Sequence, residues 1–454
     1  MKRGVPLVLC AVGSVIQIGC AYYNGLYNAN RLVGEAEKAE REGRPGEAHS
    51  LWSQAAVKAE SVVTRYPDSK YRDDALLLQG RALWATNDCA AAIAPLQEAV
   101  ETTPDSSIRA EGRMLLGQCR FALGEHAAAA DAFEPLTRTA DSSVVRTALL
   151  WQGKALLAAG TYDSAATVLA AQGETEAYLS LSVAYTRLGR PNAAEEALLH
   201  EVTTEFSETG WTAVLDTLGV AYPAAASAVV TRLVERPDLS AGQKGRLLLA
   251  DGRRWLASGD ANRAARQFDR VVELAPDSGV AREARAQRVV AETRMVSNVG
   301  ELPRLLDSLE ATGLEAGTGE GEVATLAAVL RAAVAALDRS RGDDDLGSRH
   351  KDLRLFIAAE AMRDVIKALP VAGALFRAIP DSFPDSPVAP KALLAAAGLQ
   401  PSHADSVIAV LHERYPNSPY TLVLTGAAGD RYAAVEDSIM TLLRTLALPT
   451  SGRQ

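Results

Sequence analysis

Small and bulky residues alternate along this chain in a fixed order that predicts helices arranged in pairs. A small residue on one predicted helix is followed twelve residues later by alanine on the next: Ala36/Ala48, Gly80/Ala92, Gly117/Ala129, Gly153/Ala165, Ser182/Ala194 and Gly252/Ala264. Seven residues after each first member stands a turn residue, Gly43, Asn87, Gly124, Gly160, Gly189 and Gly259. Glycine and asparagine tolerate the left-handed backbone that ends a helix. Four residues after each alanine comes a bulky apolar side chain, Trp52, Leu96, Phe133, Leu169, Leu198 and Phe268. Small residues suit places where two helices cross closely, and the bulky one suits a wedge beside them.

A second signal punctuates the pairs. Tyr66-Pro67-Asp68-Ser69, Pro104-Asp105-Ser106, Pro276-Asp277-Ser278, Phe383-Pro384-Asp385-Ser386-Pro387 and Tyr415-Pro416-Asn417-Ser418-Pro419-Tyr420 each join a helix stop to a helix start. The first proline cannot continue a helix, and Asp or Ser accepts from the free N–H groups of the next one. Pro387 and Pro419 fit the first helical position.

These intervals resemble the tetratricopeptide repeat, and the copy from Asp251 to Pro276 carries Gly252, Trp255, Ala264, Phe268 and Pro276 at the family's positions. The resemblance implies an all-α fold, a TPR-like α-solenoid of antiparallel helix pairs. The Tyr-Pro-Asp-Ser-x-Tyr form resembles repeat lipoproteins of the BamD type, which help assemble outer-membrane β-barrels, and the repeat domain of the periplasmic Tol–Pal coordinator. That likeness covers residues 1 to about 200 and, less clearly, 350–420. The expected organisation is a signal peptide (1–20), an N-terminal array (21–210), degenerate pairs with one clear repeat (211–313), a loop–helix–loop connector (314–349) and C-terminal helical pairs with a tail (350–454).

The N-terminus adds an address. Met1-Lys2-Arg3 precedes an apolar run from Val5 to Gly19. Its length, about 22 Å as a helix, falls short of the ~30 Å hydrocarbon core, so a leader is expected rather than a spanning helix. Ile18-Gly19-Cys20 resembles the lipobox of bacterial lipoproteins, with Gln17 departing from it. The resemblance implies lipid attachment at Cys20 and, with Ala21 following, a periplasm-facing place on the outer membrane. Ordinary cleavage after Ala21 is the alternative. Tyr22, Tyr23 and Tyr27 then suit either a membrane interface or packing on the first repeat. Of the remaining cysteines, Cys89 and Cys119 are open to two readings: a pair of small buried apolar residues, or a disulfide in an oxidising compartment.

Composition fits a helical scaffold and removes other classes. Hydrophobic residues make up 48% and aromatics only 5%, which favours closely packed helices over sheets. A net charge of -9, with no long basic stripe, argues against nucleic-acid partners. His412-Glu413 opens a metalloprotease-like motif, but Pro416 stands where its second histidine belongs. No cysteine pair has zinc spacing. Gly317, Gly319 and Gly321 imitate a phosphate loop without a preceding strand, and Asp343 to Asp345 lack the alternate spacing of a calcium loop. No cofactor and no catalytic residue is expected; an enzyme with an unrecognised site is the remote alternative.

Binding is expected on the first helices, which by the family convention line one face of the superhelix. Trp84, Phe121 and Leu157 hold equivalent positions in three successive repeats, and Arg81, Gln118 and Lys154 run beside them. An exposed apolar strip edged with donors suits a peptide segment, and its cations suit an acidic group. The expected partners are proteins of the cell envelope, met either as clients of an assembly factor or as components held by a structural coordinator.

Overall fold

The computed structural model describes residues 25–173, 175–201, 208–316, 321–341, 350–399 and 404–445. Among these residues every regular element is helical and none is a strand. Packing divides the chain into two units, Met1–Ala225 and Ala226–Gln454. The first contains α1 (Tyr27–Arg41), α2 (Pro45–Arg65), α3 (Arg72–Ala85), α4 (Cys89–Thr102), α5 (Ser106–Ala122), α6 (His126–Phe133), α7 (Ser142–Ala158), α8 (Tyr162–Gln172), α9 (Thr175–Arg187), α10 (Pro191–Glu201) and α11 (Glu208–Ala221). Helix α12 (Pro223–Val234) contains the division point. The second unit continues with α13 (Ala241–Ala257), α14 (Ala261–Leu274), α15 (Gly279–Met295), α16 (Leu302–Ala316), α17 (Glu322–Arg341) and α18 (Lys351–Ala361). A π-helical turn at Met362–Ile366 leads to α19 (Leu369–Ser382), α20 (Ala389–Leu399), α21 (Ala404–Arg414), α22 (Pro419–Leu422) and α23 (Asp430–Thr445). Within each unit successive helices pack as a solenoid of antiparallel pairs.

All six turn residues hold the left-handed backbone, with φ from 62° at Asn87 to 90° at Gly259. Each turn closes in the same way. The N–H of the turn residue reaches back three residues, and that of the following residue reaches back five, as in Asn87 to Trp84 and Asp88 to Leu83. The last carbonyls of the first helix are thereby satisfied without side chains.

The wedges explain the small residues. A Cβ added at Gly80 would stand 2.4 Å from Leu96, at Gly117 2.5 Å from Phe133, at Gly153 2.5 Å from Leu169, and at Gly252 2.4 Å from Phe268. Sequence spacing suggested that Gly252 would meet Ala264. Its three nearest atoms instead belong to the Phe268 ring, while Ala264 is itself fully buried. The wedge extends back to the crossing because its ring is long enough to fill the space that both small residues leave.

The stop–start segments act largely as their residues dictate. Asp105 accepts from Ser107 N–H at 2.7 Å to cap α5, Ser278 accepts from Ala281 N–H at 3.1 Å to cap α15, and Ser418 caps α22 with Pro419 at its first position. Pro387 departs from expectation. Helix α20 begins only at Ala389, because the turn at Ser386 takes two further residues to close.

Two polar features stiffen the units. Cys89 at the start of α4 and Cys119 on α5 form a disulfide, with Cα atoms 4.8 Å apart and both residues buried. In the second unit Asp251 is fully buried on α13. Its carboxylate accepts from Ser227 of α12 at 2.7 Å, and Gln267 of α14 donates to the same hydroxyl at 3.4 Å. Burial pushes the Asp251 carboxyl above its usual range against the pull of that hydrogen bond and of Arg254.

Two outcomes are expected from these contacts. Gly252→Ala should destabilise the second unit by about 1–3 kcal/mol, since the new methyl overlaps Phe268; an unchanged thermal melt would show that the wedge does not fill the crossing. Reducing the Cys89–Cys119 bond, or replacing both cysteines with alanine, should cost about 3–4 kcal/mol on chain-entropy grounds. Melting the first unit's helices with and without reductant checks this.

Candidate functional site

The six residues expected to bind a partner lie on α3, α5 and α7, the first helices of three neighbouring pairs. Their exposure differs. Trp84 is 40% exposed. Phe121 is half-buried: its ring meets Trp151 of α7 edge-on at 5.6 Å and His126 at 5.2 Å. Leu157 is half-buried against the apolar cluster of α8 and α9. The strip is therefore one exposed aromatic followed by two side chains drawn partly into contacts between repeats. Trp151, which sequence reasoning did not single out, also stacks on the wedge Phe133 at 6.1 Å.

The polar edge is already engaged. Arg81 donates to Glu37 of α1 at 2.7 Å and lies 3.8 Å from Glu111 of α5. Its guanidinium also stands 5.9 Å from the centre of the Trp52 ring, whose indole N–H donates to Glu40 at 2.7 Å. Lys154 is paired with Glu176 of α9 and lies over the Trp151 ring. Gln118, between them, is half-buried. The same arrangement recurs in the second unit, where Arg253 pairs with Glu283 of α15. In all three cases the cation immediately follows the small residue, and the glutamate lies near the start of the next first helix.

A hollow of about 160 Å³ opens on this face, where α1, α3 and α5 meet. Leu26, Val33, Leu77 and Leu78 form its apolar lining, and Asn30, Asp74, Arg81 and Glu111 its polar one. Asp74 is solvent-reachable, yet its carboxyl is raised above the usual range by partial burial, then by the neighbouring charges of Asp73 and Asp105. A larger hollow of about 360 Å³ lies between α2 and α3, edged by Val57, which is 63% exposed.

Other expectations fall elsewhere. Cys20, with Tyr22 and Tyr23, lies outside the described residues, as do Gly317, Gly319 and the Asp343–Asp345 run. Tyr27 opens α1 and is half exposed. Among the described residues, no group of three or more His, Cys, Asp or Glu is placed to hold a metal ion, and no helix is long and apolar enough to cross a membrane.

The family comparison agrees with this geometry over residues 33–173. The tetratricopeptide-repeat family profile matches residues 33–107, 77–143 and 114–173. No curated protein matches the sequence. A tetratricopeptide repeat protein from Parabacteroides merdae shares 14% identity at a TM-score of 0.35, over 57% of this chain and 97% of that one. A chain in the structure of Naa15/Naa10 bound to HypK-THB shares 13% at 0.32, over 91% and 68%. One in the APC/C hetero-tetramer Cut9–Hcn1 shares 12% at 0.26, over 88% and 96%. Residues 33–173 match the tetratricopeptide-repeat family, and the described residues fold as an all-α solenoid of paired helices of that kind.

Proposed function

We propose that this chain is a non-catalytic scaffold that holds protein partners on the first-helix face of its N-terminal unit. The observation that carries the reading is Trp84, an exposed indole on the same helix as the hollow between α1, α3 and α5. Tryptophan is enriched among residues that dominate binding energy, and a concave surface beside one gives a partner side chain somewhere to go. The half-buried Phe121 and Leu157 extend the apolar character along the face while fixing the spacing of the repeats beneath it.

The finer reading places this scaffold in the cell envelope, lipid-anchored through Cys20 to the outer membrane and facing the periplasm, with a part in outer-membrane protein assembly. The lipobox-like Ile18-Gly19-Cys20 and the short apolar run before it support the address. The Cys89–Cys119 disulfide supports an oxidising compartment, because such bonds are rare where glutathione keeps thiols reduced. A coordinator of envelope machinery would have the same address and the same face, and would differ in which proteins occupy it.

Trp84→Ala should weaken partner binding by about 2 kcal/mol or more while leaving the melting temperature nearly unchanged. Val57→Ala, at the α2–α3 hollow, serves as the control and should leave binding intact. A large loss of stability in the Trp84 variant would assign the indole to the core and end the reading of this face. The address is read separately, by mass spectrometry of the mature N-terminus. An acylated Cys20 is expected, and a free amino terminus at Tyr22 would exclude the anchor.

A further inference from the structure

We infer that the hollow beside Trp84 accepts a basic side chain of the partner, so that the recognised segment carries lysine or arginine next to large apolar residues. This rests on the reading of the first-helix face as the partner-binding face. The argument is one of charge complementarity. Two carboxylates, Glu37 and Glu111, pair with a single guanidinium, that of Arg81, and a third, Asp74, lines the hollow alongside Arg81 and Glu111. Arg81 spans Glu37 and Glu111 and leaves Asp74 unmatched; no cation among the described residues pairs with it. A carboxylate that is partly desolvated and crowded by like charges gains more from an arriving cation than a fully hydrated one does.

The apolar wall fixes the kind of cation. Val33 and Leu77 line the same hollow as Asp74. A long basic side chain can lay its methylene stem along such a wall while its charged head reaches the carboxylate. A small hydrated ion would gain nothing from the wall, and an acidic side chain would meet Asp74 and Glu111 at close range. Trp84 stands seven residues beyond Leu77 on α3, about 10 Å along the axis, so apolar residues near the basic one can reach it. The cations that sequence spacing offered to an acidic partner are occupied by Glu37, Glu111 and Glu176, and the polarity of the face is reversed as a result.

The test pans a phage library of randomised twelve-residue peptides against the immobilised full-length chain, then titrates the enriched sequences as fluorescent synthetic peptides. Enrichment of lysine or arginine beside leucine, phenylalanine or tryptophan is expected, with affinity falling as salt rises. Asp74→Asn should weaken these peptides about five- to tenfold, and Asp74→Lys should remove the preference for basic sequences, both with unchanged melting. Two results overturn the inference and leave the face as partner-binding: enriched peptides that are acidic, or basic peptides that respond to Trp84→Ala but not to Asp74→Asn. Peptides indifferent to both substitutions, or no enrichment at all, would overturn the inference together with the reading of the face.

Discussion

In four of the helix pairs, a side chain of the second helix occupies the space where a Cβ of the first would stand: Leu96 at Gly80, Phe133 at Gly117, Leu169 at Gly153 and Phe268 at Gly252. Burying such a wedge contributes about 1.5–3 kcal/mol, but its larger consequence is geometric. It fixes how each first helix is rotated about its own axis. At about 100° per residue, the positions six and three before the glycine and one and four after it fall within an arc of about 80°. On α3 these are Asp74, Leu77 and Arg81, which line the hollow, and Trp84, three residues beyond Arg81. The contact that closes the pair therefore also composes the face beside it.

That geometry was legible because it is local. A turn residue in the left-handed region, an alanine twelve residues from a small partner and a wedge sixteen residues from it are all settled within one repeat, and all six turns and all six wedges stand where the spacing put them. Exposure was less legible. Equivalent positions align, but their burial depends on what the next repeat places opposite. Trp84 remains open, whereas Phe121 is covered in part by Trp151, whose equivalents in the preceding repeats are the smaller Leu78 and Leu115. Pro387 failed for a similar reason: the turn at Ser386 runs two residues longer than its counterpart at Ser418.

Charge was the least legible feature. Arg81 and Arg253 find their glutamates 30 residues further on, and Lys154 finds its partner after 22, because the repeat that follows it is shorter. No fixed interval reveals such pairs; they appear only once the repeat length is known. Each is at least partly exposed and contributes at most about 1 kcal/mol to stability. Their effect on recognition is greater, since a paired cation no longer advertises itself to an acidic partner, and an unmatched carboxylate such as Asp74 sets the sign of what remains.

The disulfide bears on the same face. It joins α4, the second helix of one pair, to α5, the first helix of the next. Glu111 sits on α5, eight residues before Cys119, and Asp74 and Arg81 sit on α3, whose partner is α4. The bond therefore ties together the helix pair and the following helix that enclose the hollow. Without the bond, α4 and α5 meet through Leu96, Leu115 and Leu116, and Val100 sits where a Cβ of Gly112 would stand, 2.9 Å away. Where thiols stay reduced, the position of Glu111 relative to Asp74 rests on those apolar contacts and on the exposed pair with Arg81. Where they are oxidised, it is held covalently, and the arrangement of carboxylates is preorganised before any partner arrives.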